Sequence, residues 1–257
     1  MILKKSQPKR KPSRKAAMPI EESTSSIRPR RLYLFDIDGT LITSGGAGEA
    51  SLKEAVRDFC GRDVDFSTIT MGGNTDTGIA RQLLALAGVE ATEENIMGLL
   101  DCYLVRLAER IHRHDGRLLP GIIPLLDAMR ERPDCVLALL TGNLAAGAEI
   151  KLTHYGVWHY FGFGAFADDH HERNKLGPVA ASRALELHGE EFSPDRIFVI
   201  GDTPRDIACG KAFGAVTVAV ATGHHSREEL ASHAPDFLFD GLSDVDAVLE
   251  AIAPREF

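Results

Sequence analysis

The chain has 257 residues, 44% hydrophobic and 26% charged, enough to bury a full core in one large domain or a domain with an insertion. Its longest clearly apolar run, around Leu137 to Leu140, is far too short to span a bilayer, and the N-terminus lacks the apolar segment of a secretory signal. The net charge of −8 is uneven, since residues 1–31 hold ten Lys/Arg against two Glu, so the remainder is strongly acidic and ill suited to sequence-independent nucleic-acid binding.

These features lead us to expect a cytoplasmic protein with no membrane and no specific nucleic-acid partner. Cys60, Cys102, Cys135 and Cys209 stand far apart and suggest neither a disulfide framework nor a zinc site. Residues 1–30, with Pro8, Pro12, Pro19, Pro29 and the Ser23–Ser26 cluster, read as a basic disordered tail. That tail is a solvated extension, a contact for nucleic acid or an anionic membrane surface, or part of a targeting peptide.

The first predicted strand, Leu32–Phe35, is an apolar run that ends in Asp36-Ile-Asp38-Gly39-Thr40. In a parallel α/β sheet ligands bind at the carboxyl ends of the strands, which is where Asp36 and Asp38 emerge. A plain turn is the simpler reading of Asp and Gly there. Residues 46–118 then contain no convincing strand, far too long for a connection, and carry amphipathic spacing over 48–60, 76–87 and 93–112. We expect a small helical bundle over the carboxyl edge of the sheet, with Gly45-Gly46 and 116–121 as candidate hinges. Within it Thr70-Met71-Gly72-Gly73-Asn74-Thr75-Asp76 is either a loop that reaches the substrate or a helix cap formed by Thr75 or Asp76.

After a helical segment over 120–132 comes the strand Val136–Leu140 and then Thr141-Gly142-Asn143, followed by helical spacing over 144–155. A helix start of this kind binds anions, and it equally suits Thr141 or Asn143 as an N-cap. Trp158, Tyr160 and Phe161 read as core, His170-His171 and His224-His225 carry no metal spacing, and Asp168-Asp169 after the third strand either lines the site or is a solvated loop pair. A third strand, 163–166, precedes Glu172-Arg173-Asn174-Lys175-Leu176-Gly177-Pro178 and a helix over 176–188, supplying a cation for a phosphoryl group. The fourth strand, Ile197–Ile200, ends in Gly201-Asp202-Thr203-Pro204-Arg205-Asp206, and helix 204–213 and strands 216–220 and 237–239 follow.

Short strands alternating with helices predict an α/β fold: a doubly wound, mostly parallel, Rossmann-like sheet with an inserted α-helical domain. Residues 31–45 and 119–257 form the core of that plan and 46–118 the insertion. Four acids, Asp36, Asp38, Asp202 and Asp206, then converge on one edge of the sheet. They would repel strongly unless a hard divalent cation, Mg²⁺ foremost, lay among them.

With these four motifs in order over residues 31–257, the chain resembles the haloacid dehalogenase-like hydrolases, in the helical-cap branch that includes phosphoglycolate phosphatase and β-phosphoglucomutase. The resemblance implies Asp36 as nucleophile and Asp38 as general acid/base. It also implies Mg²⁺ held by the Asp36 carboxylate, the Asp38 backbone carbonyl and Asp202, with Asp206 assisting. Thr141, with backbone N–H groups near Gly142 and Asn143, would hold the phosphate.

The third motif departs from the family pattern of a Lys before Pro-x-Pro. Counting back five from Pro178 puts Arg173 on the family's cation position, with Lys175 as the other candidate and a further phosphate contact. The reading is thus a Mg²⁺-dependent phosphatase of a small phosphorylated metabolite, of phosphoglycolate or sugar-phosphate type, acting through an aspartyl-phosphate as a monomer or homodimer. A phosphomutase and a non-catalytic binding protein on the same fold are the alternatives.

Overall fold

The computed structural model describes residues 30–253, so the reading of 1–29 as a basic tail lies outside the described residues. In chain order the elements are β1 (Arg31–Phe35), β2 (Ile42–Thr43), α1 (Ala47–Cys60), α2 (Asp76–Leu86), α3 (Glu93–Arg110), β3 (Arg117–Leu118), α4 (Ile122–Arg130) and β4 (Cys135–Leu140). They continue with α5 (Ala145–His154), β5 (Gly164–Ala165), α6 (Leu176–His188), β6 (Ile197–Gly201), α7 (Pro204–Ala212), β7 (Val216–Val220), α8 (Arg227–Ser232), β8 (Phe237–Phe239) and α9 (Val245–Ile252).

Six strands make one wholly parallel sheet in the order β5-β4-β1-β6-β7-β8. Alternation along β1 explains why both faces are covered. Tyr33 and Phe35 point to one side, packing with Leu137, Leu139 and Ile200 beneath α4, α5 and α9. Leu32 and Leu34 point to the other, among Val136, Ala138 and Val199 beneath α6 and α7. A strand buried on both faces reads as a continuous apolar run, which is how it stood out in the sequence.

The three helices α1, α2 and α3 form a separate apolar cluster built on Leu52, Leu83, Leu99, Leu100, Tyr103 and Leu107, closed at its base by Leu144. Arg110 pairs with Glu54, and Arg106 with Asp58, tying α3 to α1. The chain enters and leaves this helical segment through β2 and β3, which pair antiparallel with Ile42 opposite Leu118 and Thr43 opposite Arg117. Neither two-residue strand was anticipated, because a pair so short has no periodicity to read.

The helical cluster docks on the sheet edge through the start of α2. Thr75 caps that helix by accepting from the Gly78 amide at 3.0 Å and donates to the His171 carbonyl at 2.6 Å. The Asp76 amide donates to the Gly142 carbonyl at 2.7 Å, and its carboxylate accepts from the Leu144 amide at 2.8 Å. Burial pushes the Asp76 carboxyl up to about 6, against the pull of the Lys151 ammonium.

The sign of the resulting pH effect follows from that shift. The folded state keeps the proton between about pH 4, where the unfolded carboxyl loses it, and about pH 6, so this group's contribution to stability declines across that window. Asp76→Asn keeps an acceptor for Leu144 and removes the ionisation. It should therefore gain about 2 kcal/mol on wild type between pH 4 and pH 7.5, by urea denaturation in metal-free buffer. An equal difference at the two pH values would refute this.

Candidate active site

Register brings the site together. Phe35 of β1 lies opposite Leu139 of β4 and Ile200 of β6, so Asp36, Thr141 and Asp202 all emerge within a residue or two of the same carboxyl edge. This is where neighbouring connections leave in opposite directions, the usual crevice of a doubly wound sheet. The Asp36 amide donates to the Ile200 carbonyl at 2.9 Å, fixing the first carboxylate beside the third strand end. Gly39 turns the chain at φ +84°, and a Cβ there would stand 2.3 Å from an Asp202 carboxylate oxygen. Only glycine admits both the left-handed backbone and that approach.

Asp36, Asp202 and Asp206 are all buried, and one carboxylate oxygen from each lies within 4.8 Å of the others. Arg173 is buried against them, 3.0 Å from Asp36 and in a shorter pair with Asp206, and a second nitrogen donates to the Gly73 carbonyl at 3.3 Å. One guanidinium against three carboxylates leaves two negative charges in excess. Burial, and then Asp206 against the pull of Arg173, pushes Asp36 up to about 6. Burial together with Asp206 and Asp36 raises Asp202 to about 8. A set of hard oxygen donors that is overcharged by two suits a divalent cation.

Asp206 has a further task. It accepts from the Thr203 amide and hydroxyl at 3.0 and 2.6 Å, completing the capping box of α7.

Asp38 lies across the cleft from this group. It is half-buried, and it accepts from the Lys151 ammonium at 2.5 Å and the Asn143 side-chain amide at 3.0 Å. Desolvation alone would raise its pKa, but the lysine and the hydrogen bonds outweigh it and hold the carboxyl below the usual range. Asn143 joins the two halves, since its carbonyl accepts from Lys151 at 2.6 Å and its amide nitrogen also donates to Thr141 Oγ at 2.8 Å.

Two sequence expectations need correction. Lys175 is exposed and does not reach the cleft, whereas Arg173 does. They share a three-residue 3₁₀ turn, in which positions two apart diverge by about 240°. The N-cap alternative at the start of α5 also fails. Neither Thr141 nor Asn143 caps it, and the Leu144 and Ala145 amides are taken by Asp76 and Asp168 at 2.8 and 2.7 Å.

Lys151 was not singled out in the sequence. It is only 4% exposed, and its spacing after the buried Gly147 and Ala148 of α5 was the available signal. Asp169 pairs with Arg183, and Trp158, Tyr160 and Phe161 pack into the core as expected. His170, His171 and Glu172 do bring ligand atoms together, on a largely exposed loop.

The cleft between this edge and the helical cluster measures about 330 Å³, a size suited to a small molecule. The segment Met71–Asp76 covers it, with the Asn74 carbonyl 2.0 Å from where a Gly142 Cβ would be.

Comparison with known proteins agrees with this geometry. A phosphoglycolate phosphatase of Vibrio cholerae is 25% identical over 229 residues, spanning 86% of this chain and 96% of its own. One of Synechococcus elongatus is 27% identical over 219 residues, spanning 82% and 93%. Among solved structures, a hydrolase of Pseudomonas syringae superposes with a TM-score of 0.68 at 21% identity over 87% of this chain and 100% of that one, which establishes the shared fold. A haloacid dehalogenase-like hydrolase of Streptococcus pneumoniae does so at 0.58 and 18%, over 86% and 98%. The family model for haloacid dehalogenase-like hydrolases matches residues 33–211, a span that takes in the end of the first strand, all of the helical segment and every acid of the cleft, and the chain belongs to that family.

Proposed function

We propose that the chain is a Mg²⁺-dependent phosphatase of a small phosphorylated metabolite, of phosphoglycolate or sugar-phosphate type, working through an aspartyl-phosphate on Asp36. The observation that carries this reading is the meeting of Asp36, Asp202, Asp206 and Arg173 in one buried group, with a second carboxylate, Asp38, held separately across the cleft.

The ion would be held by the Asp36 carboxylate, the Asp38 backbone carbonyl and Asp202, with Asp206 behind them. When bound, a divalent cation offsets the repulsion between an anionic nucleophile and an anionic phosphate. Arg173 keeps the Asp36 carboxylate oriented and offers positive charge to the phosphoryl oxygens. An Asp36 oxygen attacks phosphorus, the bond to the leaving oxygen breaks, and Asp38 delivers a proton to that oxygen. Water then attacks the acyl phosphate, Asp38 takes its proton, and Asp36 and phosphate are released.

Lys151 holds Asp38 in the charged form that the second step needs. A phosphate dianion arriving beside Asp38 raises its proton affinity for the first. The helical segment 46–118 acts as a cap whose Met71–Asp76 loop excludes bulk water while the acyl phosphate exists.

Phosphate release from a panel of phosphorylated metabolites with Mg²⁺ tests the proposal. Wild type should turn over at least one compound, and Asp36→Asn should release none; no release by wild type from any compound would sink the phosphatase and favour a mutase or a binding protein. Lys151→Met should lower kcat for alkyl phosphates by about 100-fold, with a smaller loss for 4-nitrophenyl phosphate, whose leaving group needs no proton. Lys151→Arg should recover part of the loss, and equal losses on both substrate types would refute the link to Asp38.

A further inference from the structure

The part of the cleft beyond the acids has a definite chemistry. Leu52 of α1, Ile79 of α2 and Met71 give it an apolar wall, and Glu49 stands exposed at its rim. The cations that line it, among the described residues, are already engaged near the reaction centre: Lys151 with Asp38 and Asn143, and Arg173 with Asp36 and Asp206. At the mouth, His225 pairs with Glu229 at 2.8 Å beside the exposed His224. A carboxylate on the substrate's leaving group would face Asp76 and Asp38, and Glu49 in its 2.6 Å pair with Lys53, while the two cations that line the cleft, Lys151 and Arg173, are already engaged. Rejection of a like charge in a cleft of this kind is a strong selector.

Tyr103 supplies the matching attraction. Its ring belongs to the helical core and the residue is 1% exposed, yet it lines the cleft, and its hydroxyl has no hydrogen-bond partner among the described residues. Gly48 makes the opening. A Cβ on Gly48 would stand 3.9 Å from the Tyr103 hydroxyl and 3.8 Å from the Lys151 ammonium, so the missing side chain leaves both polar atoms facing free space. Burial first, and then Asp76 and Asp38 nearby, push the phenol well above its ordinary pKa, so it stays a donor. A hydroxyl that faces the cleft without a protein partner can donate to a ligand there.

We propose that the leaving group is uncharged and hydroxyl-bearing, a polyol or sugar phosphate monoester one of whose hydroxyls binds Tyr103, and that carboxylate-bearing phosphates such as phosphoglycolate are poor substrates. This rests on the phosphatase reading above. It narrows that reading to one of its two substrate types, the one that the relatives' names do not suggest.

The test is kcat/KM with Mg²⁺ on sn-glycerol 3-phosphate, glucose 6-phosphate, 2-phosphoglycolate and methyl phosphate. One of the two polyol phosphates should exceed phosphoglycolate by about tenfold or more, and Tyr103→Phe should lower the ratio of that substrate to methyl phosphate by about tenfold, the usual effect of a lost recognition hydrogen bond. Glu49→Lys, a change at an exposed site, should raise the ratio of phosphoglycolate to polyol phosphate several-fold. Phosphoglycolate exceeding both polyol phosphates in wild type, or a Tyr103→Phe loss equal for all substrates, overturns this inference alone. Failure of all four compounds to release phosphate overturns the phosphatase reading and this inference with it.

Discussion

The guanidinium of Arg173 stands between Asp36 and Asp206, and the architecture of the sheet edge depends on it. Register forces acids from β1 and from the turn after β6 into one buried space, where their mutual repulsion and desolvation would each oppose folding. Arg173 offsets part of that cost. Its fork also ties the turn before α6 to the cap of α7 through Asp206, and to the Met71–Asp76 segment through the Gly73 carbonyl. Three parts of the chain distant in sequence thereby share one cation. Lys could supply the charge but not several directed donors in one plane.

A second cation divides the labour. Lys151 reaches Asp38 from α5 and is separated from Arg173 by the Thr141–Asn143 turn. The two aspartates of the opening motif, with only Ile37 between them, therefore sit in opposite electrostatic settings. Burial and neighbouring acids push Asp36 up to about 6, and the lysine holds Asp38 below the ordinary range. Groups of one chemical type whose proton affinities are driven apart can take different parts in one reaction.

Much of this was legible in the sequence, and for identifiable reasons. The six strands of the main sheet were predicted to within one residue at each end, because strands buried on both faces are unbroken apolar runs closed by turn residues. Helices α1 to α7 carried enough length and spacing to be read. The short α8 and α9 did not, although Val245, Val248, Leu249 and Ile252 of α9 keep helical spacing. In the site, acids at strand ends were visible because the strand sets their position. Lys151 was hidden because its role depends on which face of α5 meets the sheet. The choice between Arg173 and Lys175 depended on a single 3₁₀ turn, a detail of local backbone that composition does not encode.

The pairing of β2 with β3 has a consequence for how such a protein changes over generations. The helical segment departs and returns through two chain crossings that lie one strand spacing apart, about 5 Å. A piece of chain with adjacent ends can be lengthened, trimmed or exchanged as a unit without moving the strands that carry the acids. Tyr103, Glu49, Leu52 and Ile79 all belong to that unit, while Asp36, Asp38, Arg173 and Asp202 do not. Selection can thus rewrite what is recognised while the reacting groups stay under separate inheritance.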